Sequence, residues 1–339
     1  MNVATKKGKK GKKTIKKVIS RNVVKKPKKG AREKTKAELA KSKAPKFDMN
    51  KLRSEIQDEL QNGGMEGQIV AQRSPIKEVI DRAKHPKKSN GQEFIWTGIP
   101  GFDDLFEDGI PRTSTVLVAG GAGSGKTIMC CQIATYHAKH GDKCLYMSFE
   151  ENEKRLRQHM NDFGWNPEDL EKKGKLMIQR FSPFDITRSV DALLMKAKGE
   201  LLIEIDPVIL PKHYKPEIIV VDSLTAIASA FTGKEDSYRI YIEQLFRFFE
   251  RIGATAFLIT ETRQIPTIFS QTGVEEFLAD GVIVLYNLTR GNVRENAVEV
   301  LKLRGAKHQK KIVAMQITSK GIVVYPEQEI FGEIRGEKE

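Results

Sequence analysis

The sequence predicts an α/β fold in which a central, mostly parallel sheet is covered by helices and is completed by antiparallel strands. From Glu93 onward, short apolar segments alternate with amphipathic helical stretches, and this alternation is typical of a parallel sheet with helices on both faces. The last four apolar segments follow one another without a helical stretch between them. Consecutive strands joined by short turns pair antiparallel, so we expect the sheet to finish with antiparallel strands.

Each element is predicted from its own pattern. Short apolar runs bounded by turn residues indicate strands buried on both faces, and apolar residues spaced three or four apart indicate amphipathic helices. The predicted strands span residues 115–120, 143–149, 175–180, 217–222, 254–260, 281–288, 297–305, 311–318 and 321–326, and the predicted helices span residues 126–139, 151–163, 187–201 and 237–252.

The 339-residue chain is predicted to contain one large folded domain after two N-terminal segments. Residues 1–46 contain 19 Lys and Arg residues and 2 acidic residues, whereas the rest of the chain contains 39 and 42. This Lys-rich segment has no aromatic residue and is predicted to be disordered. Residues 47–90 are interpreted as a helical linker in which Asp48 can cap the first helix. Residues 91–333 form the predicted domain, and residues 334–339 form a C-terminal tail.

The Lys-rich segment has two interpretations. It is either a solubilising tail or a site of attachment to nucleic acid or another polyanion, since each Lys that neutralises a phosphate releases counterions. No aromatic residue is present to stack on bases. Binding through this segment is therefore expected to be independent of base sequence and sensitive to salt.

The composition predicts neither a membrane-spanning segment nor a secretory signal. No apolar run reaches the roughly 18 residues needed to span a bilayer, and the basic N-terminus is not followed by the apolar segment of a signal peptide. We therefore expect a cytoplasmic location and no membrane partner. The three cysteines, Cys130, Cys131 and Cys144, lack metal-ligand spacing and are predicted to be reduced and buried.

A phosphate-binding loop is predicted where "GGAGSGKT" fits the pattern G-x-x-x-x-G-K-[ST]. The motif lies directly between a predicted strand and a predicted helix, which is the context that it requires. Its glycines allow main-chain N–H groups to approach phosphates at the positive N-terminus of a helix. Lys126 is expected to reach the β and γ phosphate oxygens of a nucleotide, and the Thr127 hydroxyl is expected to ligate Mg²⁺. The predicted binding residues of this segment are Gly120, Gly121, Ala122, Gly123, Ser124, Gly125, Lys126, Thr127 and Ile128.

Acidic residues at the ends of two predicted strands indicate hydrolysis. Asp222 ends an apolar strand at its carboxyl end, where open α/β sheets bind ligands, and we predict it with Thr127 as the metal-side pair. Glu150 and Glu151 follow the strand after the loop helix, which we expect to lie beside the phosphates as a parallel neighbour. We predict Glu150 as the base that deprotonates water. Glu151 is the second candidate, although an acid at a helix N-terminus is also favoured by the helix dipole.

Two cations lie in the strand-like segment "EVLKLRGAKH", residues 299–308. Lys302 and Arg304 are two residues apart, so their side chains are expected to point to one face, with His308 just beyond. This arrangement is typical of an anion site. The alternative is a solvated basic strand edge that discourages aggregation.

Together with these residues, further motifs resemble the KaiC family, a RecA-like branch of the phosphate-loop ATPases. The resemblance extends from Gly91 to Glu333 and keeps the order of the family's motifs. The matching segments are "TGIPGFDDLFEDGIPR", "GGAGSGKT", "SFEE", "FGW", "VVDSLTAI", "ITET", "GVEEF", "VLKLRG" with His308, and "GIVVYP".

The resemblance implies a RecA-like fold, ATP and Mg²⁺ as ligands, and a homo-oligomeric ring, usually a hexamer, with ATP bound between neighbouring subunits. It implies that Lys302 and Arg304 act on the ATP of a neighbour, with Arg304 as the finger that stabilises charge when the phosphoryl bond breaks. It also implies that Leu303, His308 and Thr318 contribute to the nucleotide site.

The sequence departs from the family pattern at positions that concern nucleoside selectivity and autophosphorylation. Ser319 follows Thr318 where the family has Asp at its ribose contact, and Asp162 precedes "FGW" where the family's clock protein has Ser in its first domain. Glu276-Phe277 occupies the place of the adjacent Ser-Thr phosphoacceptors in the second domain of that protein. Autophosphorylation at this segment is therefore not expected.

Three functional hypotheses follow. The first is a single-domain KaiC-like ATPase whose hydrolysis switches ring conformation or the binding of an unknown protein partner, as a regulatory or signalling switch. The second is a RecA/RadA-like nucleic-acid-dependent ATPase of DNA repair or recombination, although Glu261 stands where such proteins usually have Gln. The third is a non-catalytic ATP-dependent scaffold, or a KaiC-like protein kinase.

Overall fold

The computed structural model describes residues 93–196, 210, 213–263, 266, 268–270, 272–290 and 293–330. The predicted Lys-rich tail (1–46), the predicted helical linker (47–90) and the predicted C-terminal tail (334–339) lie outside the described residues.

The described residues alternate strands and helices and then continue as strands, in the predicted order. Most boundaries fall within two residues of the prediction, which is the usual uncertainty of helix and strand ends. The strands are β1 Phe94–Ile95, β2 Ile110–Pro111, β3 Thr115–Gly120, β4 Cys144–Ser148, β5 Leu176–Arg180, β6 Ile218–Asp222, β7 Thr255–Glu261, β8 Gly281–Arg290, β9 Val293–Leu303, β10 Val313–Thr318 and β11 Gly321–Glu329, and the helices are α1 Lys126–Lys139, α2 Glu153–Asp162, α3 Pro167–Lys172, α4 Pro183–Lys196, α5 Leu224–Ser229, α6 Glu235–Ile252 and α7 Val274–Leu278.

Nine of the described strands form one sheet in the order β11-β10-β9-β8-β3-β7-β6-β4-β5. The strands from β8 to β5 in this order are parallel. β8, β9, β10 and β11 pair antiparallel in sequence order. The predicted fold class is therefore confirmed, and β1 and β2 form a separate two-stranded ribbon.

Both faces of the parallel part of the sheet are buried, as the uniformly apolar strands predict. Val116 and Val118 of β3 belong to one core cluster together with Met129 of α1. Leu117, which points to the opposite face, belongs to a second cluster together with Leu245 of α6. The alternation along β3 thus places α1 and α6 on opposite faces.

One predicted neighbour relationship is wrong. We expected β4, which carries Glu150 and Glu151 at its end, to lie directly beside β3 as a parallel neighbour. β7 and β6 lie between these two strands, because the crossover through α1 carries the chain past two positions that later strands fill. The strand ends still meet at one edge of the sheet, since all four strands run in the same direction.

Other differences concern short helices. α3, α5 and α7 were not predicted, because five or six residues give too little periodicity to separate a helix from a turn. α5 follows the Ser223 N-cap, whose hydroxyl accepts a hydrogen bond from Ala226 N–H at 3.2 Å. α4 begins at Pro183 instead of residue 187, since proline is well suited to the first helical turn.

The three cysteines are placed as predicted. Cys130, Cys131 and Cys144 are buried free thiols, which confirms their packing role. No helix in the described part of the chain combines the length and the apolar character that crossing a membrane requires.

Candidate functional site

The predicted phosphate loop connects the end of β3 to the start of α1. Gly123 has φ 73° and Gly125 has φ 99°, conformations that glycine adopts without the steric penalty of a Cβ atom. Gly125 is the N-cap of α1, so the turn directs the N-terminal N–H groups of this 14-residue helix into the loop. Such a helix terminus is suited to bind phosphate.

Gly120 approaches the neighbouring strand more closely than a side chain allows. A Cβ atom at this position would lie 2.6 Å from the Leu285 carbonyl oxygen of β8 and 2.6 Å from Ser124 Oγ. The carbonyl belongs to a paired strand and cannot rotate away. The first glycine of the motif is therefore required by close main-chain packing.

We expect Gly120→Ala to weaken ATP binding about tenfold or more, because the added methyl group must displace the loop or β8. The free energy of unfolding should fall by about 1–3 kcal/mol. Isothermal titration calorimetry and chemical denaturation measure the two effects.

Gly164→Ala is the matched control, since Gly164 has φ 73° and no atom lies within 4 Å of its added Cβ. It should lose about 1 kcal/mol of stability from its positive φ and leave ATP affinity unchanged. Equal ATP affinity in Gly120→Ala and the wild-type chain would contradict the packing explanation.

Lys126, Thr127 and Asp222 converge at the mouth of the loop. Lys126 Nζ donates to the Gly121 carbonyl oxygen at 2.9 Å. Thr127 Oγ1 donates to Asp222 Oδ2 at 3.0 Å. Tyr146 of β4, which was not predicted as a site residue, donates its hydroxyl to the same Asp222 oxygen at 2.6 Å. The structure thus brings the predicted metal-side pair into direct contact.

Burial determines the electrostatics of these groups. Burial raises the pKa of Asp222 to about 6, against the hydrogen bonds from Tyr146 and Thr127 that favour the carboxylate. Burial lowers the pKa of Lys126 from its ordinary value, and the charges of Glu261, Asp222 and Glu150 oppose this shift. The carboxylates of Glu261, Asp222 and Glu150 surround the single buried lysine. The electrostatic potential they create therefore favours the binding of an additional cation.

The donor atoms fit Mg²⁺ in part. The hydroxyl of Thr127 and the carboxylate of Asp222 are the oxygen ligands that Mg²⁺ prefers. Among the described residues, no group of three His, Cys, Asp or Glu side chains could hold a metal ion by itself. Mg²⁺ is usually bound by one or two protein oxygens together with phosphates and water, and this site matches that mode.

The two glutamates of the "SFEE" segment differ in position. Glu150 lines the pocket and accepts a hydrogen bond from the Ser223 hydroxyl. The Glu151 carboxylate lies 3.8 Å from Arg155 Nε and 3.3 Å from His159 Nδ1, both on α2. The geometry therefore favours Glu150 over Glu151 as the residue that can meet a bound ligand.

The pocket at the carboxyl edge of the sheet has a volume of about 250 Å³. It lies between the loop, the ends of β6 and β7, and the β10–β11 hairpin. Its lining residues are Gly123, Gly125, Lys126, Thr127, Ile128, Glu150, Asp222, Ser223, Ile259, Glu261 and Ile317.

Thr318 ends β10 beside this pocket, but its hydroxyl is engaged in its own turn. It donates to the Gly321 carbonyl oxygen at 2.8 Å and accepts from Lys320 N–H at 3.2 Å. The preceding Ile317 supplies the pocket wall. The side-chain amide of Gln132 on α1 accepts a hydrogen bond from the Ile322 N–H and donates one to the Ile322 carbonyl oxygen. These two bonds hold the β10–β11 hairpin against α1.

Lys302 and Arg304 lie near the amino ends of the parallel strands, whereas the phosphate loop lies at their carboxyl ends. The main-chain N–H of Arg304 donates to the Asp280 carbonyl oxygen, and the main-chain N–H of Asp280 donates to the Thr115 carbonyl oxygen, both at 2.8 Å. Thr115 begins β3 and Gly120 ends it, and a strand of six residues spans about 17 Å. The structure therefore does not bring these two cations to the phosphate loop of their own chain.

The two cations share one face, as predicted. The β-bulge in the β8–β9 pairing leaves Leu303 pointing inward and both cations pointing outward. Their side chains cap the carbonyl end of α7, an arrangement that cations favour. The acceptors are the carbonyl oxygens of Glu276 (3.1 Å) and Ala279 (2.7 Å) for Lys302 and those of Phe277 (2.8 Å) and Leu278 (3.2 Å) for Arg304.

Leu303 and His308 are placed differently from these cations. Leu303 is only 8% exposed and its side chain packs in the core, so this side chain cannot contact a ligand. The main chain of His308 forms an isolated antiparallel β-bridge with that of Phe106. Burial and the nearby Lys310 lower the pKa of His308 from its ordinary value, which favours the neutral ring.

Sequence reasoning missed five residues that line or contact the site, which are Tyr146, Ser223, Ile259, Glu261 and Ile317. Glu261 follows the rule that identified Asp222, because it is an acid at the carboxyl end of a parallel strand, and that rule could have identified it. The other four gave no comparable signal. Their roles depend on which strands become neighbours.

Comparisons with known proteins agree on one family. A family model described as "ATPase: KaiC" matches residues 95–329. The curated relatives include the circadian clock protein KaiC3 of Synechocystis sp., 35% identical over 71% of this chain and 47% of that protein. They also include the circadian clock oscillator protein KaiC of Rippkaea orientalis, 33% identical over 72% of this chain and 46% of that protein.

A solved structure gives the same result. The crystal structure of a KaiC-like protein from Pyrococcus horikoshii OT3 is 32% identical, covers 69% of this chain and 100% of its own, and superposes with a TM-score of 0.57. The chain spans about half the length of the curated relatives that it matches.

Proposed function

This chain belongs to the KaiC family of ATPases, and from this membership we propose that it binds ATP with Mg²⁺ and hydrolyses it at the subunit interfaces of a homo-oligomeric ring. The ring in this proposal is a hexamer, and hydrolysis acts as a switch of ring conformation or of protein partner binding.

One observation carries the proposal: the two groups of predicted site residues lie at opposite ends of the parallel strands of one sheet. The first group, at the carboxyl ends, is the phosphate loop with Asp222 and Glu150, and the second group, at the amino ends, is Lys302 and Arg304. A chain cannot apply both groups to one nucleotide. Head-to-tail association of identical chains unites them at every contact, and such contacts close into a ring when the rotation permits.

Each residue has a role in this proposal. The loop N–H groups and Lys126 bind the phosphates, and Thr127 and Asp222 hold the metal and its water. Mg²⁺, when bound, neutralises charge on the phosphate oxygens. Glu150, oriented by the Ser223 hydroxyl, takes a proton from the attacking water.

From the neighbouring subunit, Arg304 and Lys302 stabilise the charge that develops on the transferred phosphoryl group. This step requires the two side chains to exchange the carbonyl groups at the end of α7 for phosphate oxygens. His308 and the main chain of Leu303 accompany them, and Thr318 lies beside the pocket at the nucleoside side.

The proposal is tested by phosphate release from ATP-Mg²⁺ together with size-exclusion chromatography in the presence and absence of nucleotide. The wild-type chain should release phosphate and assemble into a ring. Lys126→Ala should lose both ATP binding and phosphate release, because the buried lysine is replaced by an apolar methyl group. Stable rings that retain unhydrolysed ATP would instead support the scaffold alternative.

The Lys-rich composition of residues 1–46 supports a second candidate, a nucleic-acid-dependent ATPase. ATP turnover by the full chain, measured with and without single-stranded DNA at low salt, distinguishes the two. A DNA-dependent enzyme should be stimulated and should bind DNA in a gel-shift assay, with both effects decreasing as salt increases. Absence of both effects would exclude this candidate.

A further inference from the structure

Tyr146 connects a fully buried strand to the metal side of the site. It lies in β4, opposite Val220 of the parallel neighbour β6, and its side chain is 0% exposed. Asp222 is two residues further along β6, so it projects from the same face as Val220. A long side chain can reach such a diagonal neighbour, and the Tyr146 hydroxyl does so at 2.6 Å from Asp222 Oδ2.

Two hydroxyls bind one oxygen of the Asp222 carboxylate. Thr127 Oγ1 donates to Oδ2 from one element and Tyr146 donates to it from another. Together they restrict rotation of the carboxylate, and both engage Oδ2, so Oδ1 would be the oxygen that accepts from a metal-bound water if Mg²⁺ were bound. Hydrogen bonds to a charged carboxylate are stronger than neutral ones, so loss of one donor should loosen this arrangement.

We propose that Tyr146 is a positioning residue that holds Asp222 in the orientation required for Mg²⁺-dependent ATP binding. The inference rests on the proposed function and adds a residue to it. Tyr146 does not touch the nucleotide in this proposal, because it does not line the pocket. It acts through the orientation of Asp222.

A purely structural role would have a different signature. A buried tyrosine whose hydroxyl only satisfies a polar core should affect stability, and ATP affinity should then change equally with and without the metal. A positioning role affects only the component of ATP binding that requires Mg²⁺. The two roles are therefore separated by comparing ATP binding in Mg²⁺ with ATP binding in EDTA.

The test uses the full chain carrying Tyr146→Phe, which removes the hydroxyl oxygen and keeps the aromatic ring of the side chain. We expect the ATP dissociation constant in Mg²⁺ to increase about tenfold and the constant in EDTA to change by less than about twofold. Tyr146→Met, which also lacks the hydroxyl, repeats the measurement with a flexible side chain in case the phenylalanine variant folds poorly. Binding of Mn²⁺ in the presence of ATP, followed by electron paramagnetic resonance, should weaken in parallel.

Tyr241→Phe is the matched control. Tyr241 is a buried tyrosine of α6 whose hydroxyl does not contact the site, and this variant should bind ATP like the wild-type chain under both conditions. Equal loss of affinity in Mg²⁺ and EDTA, or no loss in either, would overturn the inference about Tyr146. Absence of any Mg²⁺-dependent ATP binding by the wild-type chain would instead overturn the proposed function, and this inference with it.

Discussion

A mixture of Lys126→Ala chains and Arg304→Ala chains is expected to hydrolyse ATP, although neither variant should do so alone. Each variant lacks one half of every site in a uniform ring. A mixed ring contains interfaces in which the intact loop of an Arg304→Ala chain meets the intact cations of a Lys126→Ala chain. Random mixing at equal concentrations should make about a quarter of the interfaces complete in a closed head-to-tail ring.

The expected effects are large. An arginine that stabilises the transferred phosphoryl group is worth about 10³–10⁵ in kcat, so each variant alone should fall to background. Recovery to about one quarter of the wild-type rate would be well above that background. The measurement is phosphate release as a function of mixing ratio, with chains exchanged in the presence of ATP-Mg²⁺ and ring formation followed by light scattering.

Lys307→Ala is the control for this experiment. Lys307 is a nearby cation whose side chain is 83% exposed and lies 3.4 Å from Glu107, so its removal should leave turnover close to the wild-type value. A mixture of the two defective variants that forms rings and remains inactive would contradict an active site shared between chains.

Glu150→Gln is expected to abolish turnover and to preserve ATP binding. Gln keeps the shape of the side chain and its contact with Ser223, but it cannot accept a proton from water. General base catalysis contributes about 10²–10⁴ in rate, so kcat should fall by at least about a hundredfold. Phosphate release in single-turnover experiments measures this loss, and fluorescence titration with a nucleotide analogue measures binding.

Glu151→Gln is the matched comparison, since it makes the same chemical change at the adjacent residue. The Glu151 carboxylate faces Arg155 and His159 of α2, and a partly exposed ion pair such as the one with Arg155 contributes about 1 kcal/mol or less. We expect a small loss of stability and a change in kcat of less than about fivefold. If Glu151→Gln abolished turnover and Glu150→Gln did not, Glu151 would be the base.

The amino-acid sequence by itself determined the elements that depend on local pattern. β3 and α1 have the predicted bounds because an apolar run, a glycine turn and a helical run that begins at Lys126 specify them within 25 residues. The phosphate loop was identified for the same reason, since its glycines and Lys126 act together within one turn. Asp222 was identified from its place at a strand end, which is also a local property.

Only the tertiary structure decided how distant segments meet. β4 was expected beside β3, but β7 and β6 lie between them, because strand order depends on crossovers that a periodic pattern does not encode. The position of Glu150 against Ser223 and the contact of Tyr146 with Asp222 follow from that order. Periodicity specifies which face a side chain occupies, and packing specifies which neighbour it meets.

The placement of the two cations shows the same division. Their spacing in sequence predicted a shared face, and the structure has both on that face, against the end of α7. Their separation from the phosphate loop by the length of β3 does not follow from that spacing. It depends on the direction of β9 relative to β3, which is fixed only when all strands of the sheet pair and bury their apolar faces together.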